Sequence, residues 1–256
     1  MIIQGTYTSK ILNSKRPFVA VLPEPINKQT RVVFLLHGVA TDETEWLINV
    51  PLEQWAKSHN IAFLCPNGGN TFYTDHADGE NYGEAIGDEF YHVMAELLPL
   101  NMDYANTSIA GFSMGGYGAI RLGLKYPHYH QIGGFSPAFI FYKRHRDDPL
   151  FKEVFSKGLE GSDNDCVQLY QNRLDGDLSV PTISLYCGDQ DPLDEQTQNF
   201  YHQVTAIKGH HPLAYYQQTG FHDFSLWLPA LDQFIHNQVI SQSPVNTDIW
   251  QPLQKA

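Results

Sequence analysis

Residues 108–118 read Ser108-Ile-Ala-Gly-Phe-Ser-Met-Gly-Gly-Tyr-Gly118, and Ala119-Ile-Arg-Leu-Gly-Leu124 follows with a composition suited to a helix. A short apolar run thus enters the pentapeptide Gly111-Phe112-Ser113-Met114-Gly115, which has the form G-x-S-x-G, and a helix leaves it. In such a strand-to-helix turn the serine takes a strained backbone conformation, its hydroxyl projects above the sheet, and the flanking glycines avoid clashes with neighbouring chain. Taken alone, the pentapeptide also fits a glycine-containing helix start with Ser113 as an ordinary cap. The strand before it and the helix after it favour the strained turn.

Three more runs extend the pattern: Arg31-Val-Val-Phe-Leu-Leu36, Ile61-Ala-Phe-Leu-Cys65 and Thr182-Ile-Ser-Leu-Tyr186. Like Ser108–Ala110, they are too continuously apolar for strands with one wet face, and so read as central strands of a parallel sheet. Helical spacing lies between them, clearest at Ile86, Phe90, Val93, Met94 and Leu97, with Pro99 ending the segment. The alternation predicts an α/β fold with a doubly wound, mostly parallel central sheet flanked by helices. An antiparallel edge hairpin, Ile2–Thr8 and Pro17–Leu22, precedes it and is closed by Pro23 and Pro25. No repeat or Pro/Gly/Ser linker divides the chain, so residues 1–256 are expected to form a single domain. Residues 139–181 are expected to form a lid or rim, and 239–256 a tail packed on the body or on a second subunit of a homo-oligomer.

Composition narrows the function. Sixteen Lys and Arg against 28 Asp and Glu give a net charge of −12, which repels phosphate backbones and anionic lipid surfaces, so neither nucleic acid nor membrane is an expected partner. The start, Met1-Ile-Ile-Gln-Gly-Thr-Tyr7, lacks the charged and apolar regions of a secretory signal, and no apolar run approaches the ~20 residues that span a bilayer. A cytoplasmic protein is expected. Cys65, Cys166 and Cys187 are odd in number and widely spaced, which reads as buried free thiols rather than a disulfide framework.

Each central run leads into a glycine-rich polar segment at its carboxyl end, where α/β sheets place their sites. A serine hydroxyl is a weak nucleophile at neutral pH and requires a base within hydrogen-bond reach, oriented by a carboxylate. After a G-x-S-x-G turn the chain order is serine, acid, histidine. Asp191 follows the Thr182–Tyr186 run. His222, one of twelve histidines, follows the last apolar run, Leu213-Ala-Tyr-Tyr-Gln217. Asp189 is the alternative acid, but Pro192 suits a loop after Asp191, and Asp189 reads as a turn former. His37, in a His-Gly pair at a strand end, reads as a loop anchor. The segment after it nominates the backbone N–H of Val39, paired with that of Met114, as donors to a developing oxyanion. His128-Tyr-His130 and His210-His211 lack a third ligand at recognisable spacing, so no metal is expected.

These residues resemble the esterase D-like branch of the α/β-hydrolases, which includes tributyrin-type esterases, S-formylglutathione hydrolases, and acetylxylan and feruloyl esterases. The matching pieces are Leu35-Leu-His-Gly38 with Trp46, Pro66-Asn-Gly68 with Tyr73-Thr-Asp75, Glu96-Leu-Leu-Pro99, Gly111–Gly118, Gly188-Asp-Gln-Asp191 and His222-Asp-Phe-Ser-Leu-Trp227. The resemblance implies the α/β-hydrolase fold, Ser113 as nucleophile, Asp191 as orienting acid, His222 as general base, and no cofactor. It also implies Tyr73 and Asp75 at the substrate pocket; Trp46 and, from the rim, Tyr142 complete the expected pocket residues. The chain departs from the family at Val39-Ala-Thr-Asp-Glu43, where small residues are common, and at Phe224, where Trp is frequent. The expected activity is serine carboxylesterase on small acetyl-type esters. The alternatives are an S-formylglutathione-type thioesterase, an acetyl or feruloyl carbohydrate esterase, and a binding-only receptor or scaffold.

Overall fold

A computed structural model describes residues 1–139, 152, 154–155, 162–209, 212–237 and 251–252. Its strands are β1 (Ile2–Ser9), β2 (Ser14–Val21), β3 (Arg31–Leu36), β4 (Ile61–Pro66), β5 (Thr107–Phe112), β6 (Gln131–Phe135), β7 (Thr182–Gly188), β8 (Leu213–Gln218) and β9 (Gln251–Pro252). They form one sheet in the order β1-β2-β4-β3-β5-β6-β7-β8-β9. The six strands from β4 to β8 in that order are parallel, while β1 and β2 at one edge and β9 at the other run antiparallel to their neighbours. This is the α/β-hydrolase architecture, with the expected hairpin at its edge.

Helices α1 (Glu45–Asn49), α2 (Leu52–His59), α3 (Tyr82–Glu84), α4 (Phe90–Leu97), α5 (Met114–Lys125), α6 (Cys166–Asp175), α7 (Asp194–Ala206) and α8 (Phe224–Asn237) cover the two faces, with a π-helical turn, Ala85–Glu89, joining α3 to α4. Alternate strand residues feed opposite layers. Val32, Phe34 and Leu36 pack with α4 to α7, whereas Val33 and Leu35 pack with α1, α2 and α8. Both faces are therefore dry, which is why the strands read as continuous apolar runs. Each buried Leu or Phe contributes about 1.5–3 kcal/mol.

Two details differ from the sequence reading. β6 carries Gly133 and Gly134. With two residues lacking side chains, its apolar run is broken, and only its position between β5 and β7 marks it as a strand. The predicted stripe of the 86–97 helix is narrower than expected: Ile86, Phe90 and Met94 are buried, but Leu97 is 58% exposed because the helix ends there and Leu98 turns inward instead. Of the expected tail, only Gln251–Pro252 falls within the described residues, and it pairs with β8. Of the expected rim, α6 and a few neighbours are described. Tyr142 lies outside the described residues, as do His210 and His211.

Candidate active site

The turn between β5 and α5 is built on a backbone conformation that L-residues avoid. Ser113 has φ 54° and ψ −118°, a strain of about 1–3 kcal/mol. Its neighbours hold it there: the Ser113 N–H donates to Phe135 O at 2.9 Å, and its carbonyl accepts from Ala138 N at 2.9 Å and Tyr117 N at 3.1 Å. The glycines are required by close approach. A Cβ on Gly111 would lie 2.3 Å from Gly115 O, and one on Gly115 would lie 2.3 Å from Leu36 O.

Above this turn three side chains distant in sequence meet. His222, in the loop after β8, has Nε2 3.0 Å from Ser113 Oγ. Its Nδ1 lies 2.9 Å from Asp191 Oδ2 and 3.1 Å from Oδ1, in the loop after β7. An ionised carboxylate only accepts, so Nδ1 carries the proton and donates, and the lone pair on Nε2 faces the serine hydroxyl. The Asp191 side chain is fully buried while that of His222 is 29% exposed. Burial alone would raise the Asp191 carboxyl, but hydrogen bonds from His222 and Ser136, the His222 charge and the Leu193 N–H outweigh it and hold the group below the usual carboxylate range. The carboxylate stays charged against burial, and only the serine end of the line reaches solvent.

Asp189 faces elsewhere: its carboxylate accepts from Thr219 Oγ1 at 3.2 Å and from Gly220 N at 3.2 Å, which ties the acid loop to the histidine loop. His37 is fully buried; its Nε2 accepts from Gly68 N at 2.9 Å and its Nδ1 donates to Gly38 O at 2.8 Å. It joins the loops after β3 and β4, as a loop anchor should. The N–H of Ala40 is taken by Asn70 Oδ1 at 2.7 Å. The N–H groups of Val39 and Met114 have no hydrogen-bond partner among the described residues.

Three of the expected pocket residues are engaged with other partners. Trp46 is wholly buried, its Nε1–H donating to Leu36 O at 3.0 Å and its ring set edge-on against Phe112, Phe135 and Phe224. Tyr73 is also wholly buried, with its hydroxyl donating to His37 O at 3.0 Å. Neither presents surface to a ligand. Asp75 binds Arg121 at 3.3 Å and Lys125 at 3.1 Å. Those partners are eight and twelve residues beyond Ser113 on α5, ~12–18 Å along the helix. Arg121, only 1% exposed, also donates to Tyr73 O at 2.9 Å and Asn164 Oδ1 at 3.1 Å. A separate polar cavity of about 260 Å³ lies beside this cluster, lined by Asp75, Asn81, Glu84, Arg121, Lys125 and Asn164 among others.

Sequence reading passed over Arg121, whose signal was one charge inside the apolar run Ala119–Leu124, and Ser136, a lone polar residue after β6. Three His and carboxylate clusters bring possible ligand atoms together among the described residues: His59 with Asp232 and His236, Asp88 with His92 and His128, and His76 with Asp78 and Glu80. None includes Ser113, Asp191 or His222.

A mostly parallel sheet with a serine, a histidine and an aspartate aligned at its strand ends defines an α/β-hydrolase. More narrowly, the chain belongs to the Esterase family, whose model, described as "Putative esterase", matches residues 9–237. It is a serine carboxylesterase. It is similar to an acetyl esterase of Caldicellulosiruptor saccharolyticus, 29% identical over 251 residues that span 88% of this chain and 93% of that protein. Among solved structures, S-formylglutathione hydrolase FrmB from Staphylococcus aureus is 25% identical with a TM-score of 0.82, over 93% of this chain and 98% of that one. The serine hydrolase FphF of the same organism, 24% identical with a TM-score of 0.84 over 93% of this chain and 98% of that one, shares the fold.

Proposed function

We propose that this esterase hydrolyses small acetyl-type esters through an acyl-enzyme formed on Ser113. As Oγ attacks the ester carbonyl carbon, its proton passes to His222 Nε2, and the carbonyl electron pair moves onto oxygen. The N–H groups of Val39 and Met114 donate to that oxyanion; each such donor is worth about 100- to 1,000-fold in rate. His222 then gives its proton to the departing alkoxide. Water repeats the sequence on the acyl-enzyme and releases the carboxylic acid. Asp191 keeps the imidazole in the tautomer that accepts from Ser113 and balances the imidazolium charge.

The observation that carries this reading is the pair of contacts on one imidazole: 3.0 Å from Nε2 to Ser113 Oγ and 2.9 Å from Nδ1 to Asp191 Oδ2. The unengaged N–H groups of Val39 and Met114 support the oxyanion assignment. The likeness to an acetyl esterase supports the acyl group. The likeness to an S-formylglutathione hydrolase favours thioester cleavage as a second reading. Three free, buried cysteines support a reducing compartment, and we assign the protein to the cytoplasm. No helix among the described residues is long and apolar enough to cross a membrane. We read the chain as one domain.

Hydrolysis of p-nitrophenyl acetate and butyrate by wild type and Ser113→Ala tests the nucleophile. Turnover at the wild-type rate in the variant overturns it. A kcat/KM for S-formylglutathione well above that for acetyl esters selects the thioester reading.

A further inference from the structure

Trp227 stands in the first turn of α8, five residues after His222, and its indole touches the residue before Ser113, the His222 ring and Ser136 in the turn after β6. It stacks on Phe112, the residue before the nucleophile, at 4.4 Å between ring centroids and 20° between planes. Its ring meets the His222 imidazole at 4.9 Å and 90°. Its Nε1–H donates to Ser136 Oγ at 3.0 Å. Ser136 is itself fully buried and held at φ 46°, with its N–H donating 2.7 Å to Tyr186 O on β7, the strand that leads to Asp191. The residue before it, Phe135, takes the Ser113 N–H. A serine at positive φ, buried and holding an indole, is a costly choice for filling space alone.

We propose that Trp227 and Ser136 act as a pair of positioning residues: the Trp227 ring, oriented by its hydrogen bond to Ser136 and its stack on Phe112, fixes the plane of the His222 imidazole between Ser113 and Asp191. Neither residue touches the reacting atoms. The inference rests on the assignment of Ser113, Asp191 and His222 given above. Without the indole, the imidazole keeps its bond to Asp191 but gains freedom to rotate about it, so Nε2 leaves the line of the serine proton.

The test measures steady-state kinetics on p-nitrophenyl acetate for wild type, Trp227→Phe, Ser136→Ala and the double variant, beside Ser113→Ala, with folding followed by circular dichroism. Each single variant is expected to lose kcat by about tenfold with KM nearly unchanged, because alignment acts in the transition state and not in substrate binding. The double variant is expected to be no slower than the worse single one, since the two residues act as a unit. A purely structural role would lower the unfolding temperature and leave kcat per folded molecule in place; that result overturns the proposal. So does a double variant whose loss is the product of the single losses. If Trp227→Phe fails to fold, the smaller Ser136→Ala decides by the same split between kcat and KM. Wild-type turnover by Ser113→Ala, by contrast, would defeat the assignment of the nucleophile and not this one.

Discussion

Helix α5 begins at one buried carboxylate cluster and ends near another. At its N-terminus Asp191 bonds His222, which faces Ser113; near its C-terminus Asp75 bonds Arg121 and Lys125. Both carboxyls are held below their usual range, though burial opposes this in each: by the bonds from His222 and Ser136 and the His222 charge in one case, by the charges of Arg121 and Lys125 in the other. What separates them is the partner. An imidazole has a second nitrogen that can accept a proton, whereas a guanidinium or ammonium only donates. Asp75 is closed off by its cations and fixes the chain around it. Asp191 passes its influence through a ring to a hydroxyl. Charge burial marks both clusters, and the chemistry of the second partner decides which of them can react.

The sharpest break of that contrast is His222→Gln, which keeps an amide in reach of both neighbours but no base: kcat is expected to fall by ~10,000-fold or more with little change in unfolding temperature. Asp191→Asn preserves shape while offering the imidazole a donor in place of an acceptor, and a loss of ~1,000- to 10,000-fold in kcat is expected. Stopped assays on p-nitrophenyl acetate measure both. At the other cluster, Arg121→Met leaves Asp75 buried without its guanidinium, and chemical denaturation should show a loss of about 3–5 kcal/mol. Its kcat per folded molecule should stay near wild type; a collapse of kcat would erase the distinction between the clusters.

A smaller effect tests the sign of the electrostatics. The Asp75 carboxyl titrates lower in the folded chain than in the unfolded one, so the unfolded state takes up more protons in the acid range, and the stabilisation present above about pH 4 is lost as pH falls further. Asp75→Asn should therefore be less stable than wild type by about 1.5–3 kcal/mol at pH 7, and the gap should narrow in denaturation curves taken below pH 4. Val39→Ala should change the rate least. Its side chain is 42% exposed, and the proposed contribution comes from a backbone N–H that the substitution retains.

Much of this site was legible in the linear chain because each part carries a local signature. Gly111 and Gly115 announce a turn that admits no Cβ. The order serine, acid, histidine then points to Asp191 and His222, and these two meet Ser113 in one hydrogen-bonded line, whereas Asp189 bonds Thr219 and Gly220. The pocket residues were not legible in the same way. Trp46 and Tyr73 occur in segments next to the site, yet their rings fill the layers beneath it, because a large aromatic gains more from full burial than from lining an open surface. Asp75 was read with them, and only the return of α5 past its loop shows that Arg121 and Lys125 claim its carboxylate.

The amino-acid sequence by itself determined the doubly covered parallel sheet, through runs apolar on both faces, and the strained turn at Ser113, through glycines at fixed spacing. It also set the order in which Ser113, Asp191 and His222 follow one another. Tertiary structure alone decided that Ser136 receives the Trp227 indole and that Arg121 is buried against Asp75, 91 and 46 residues apart along the chain. Periodicity and motif spacing report a residue's local backbone. Partnerships over such separations depend on how strands are ordered in the sheet and on which faces the helices close, and no stretch of sequence encodes them locally.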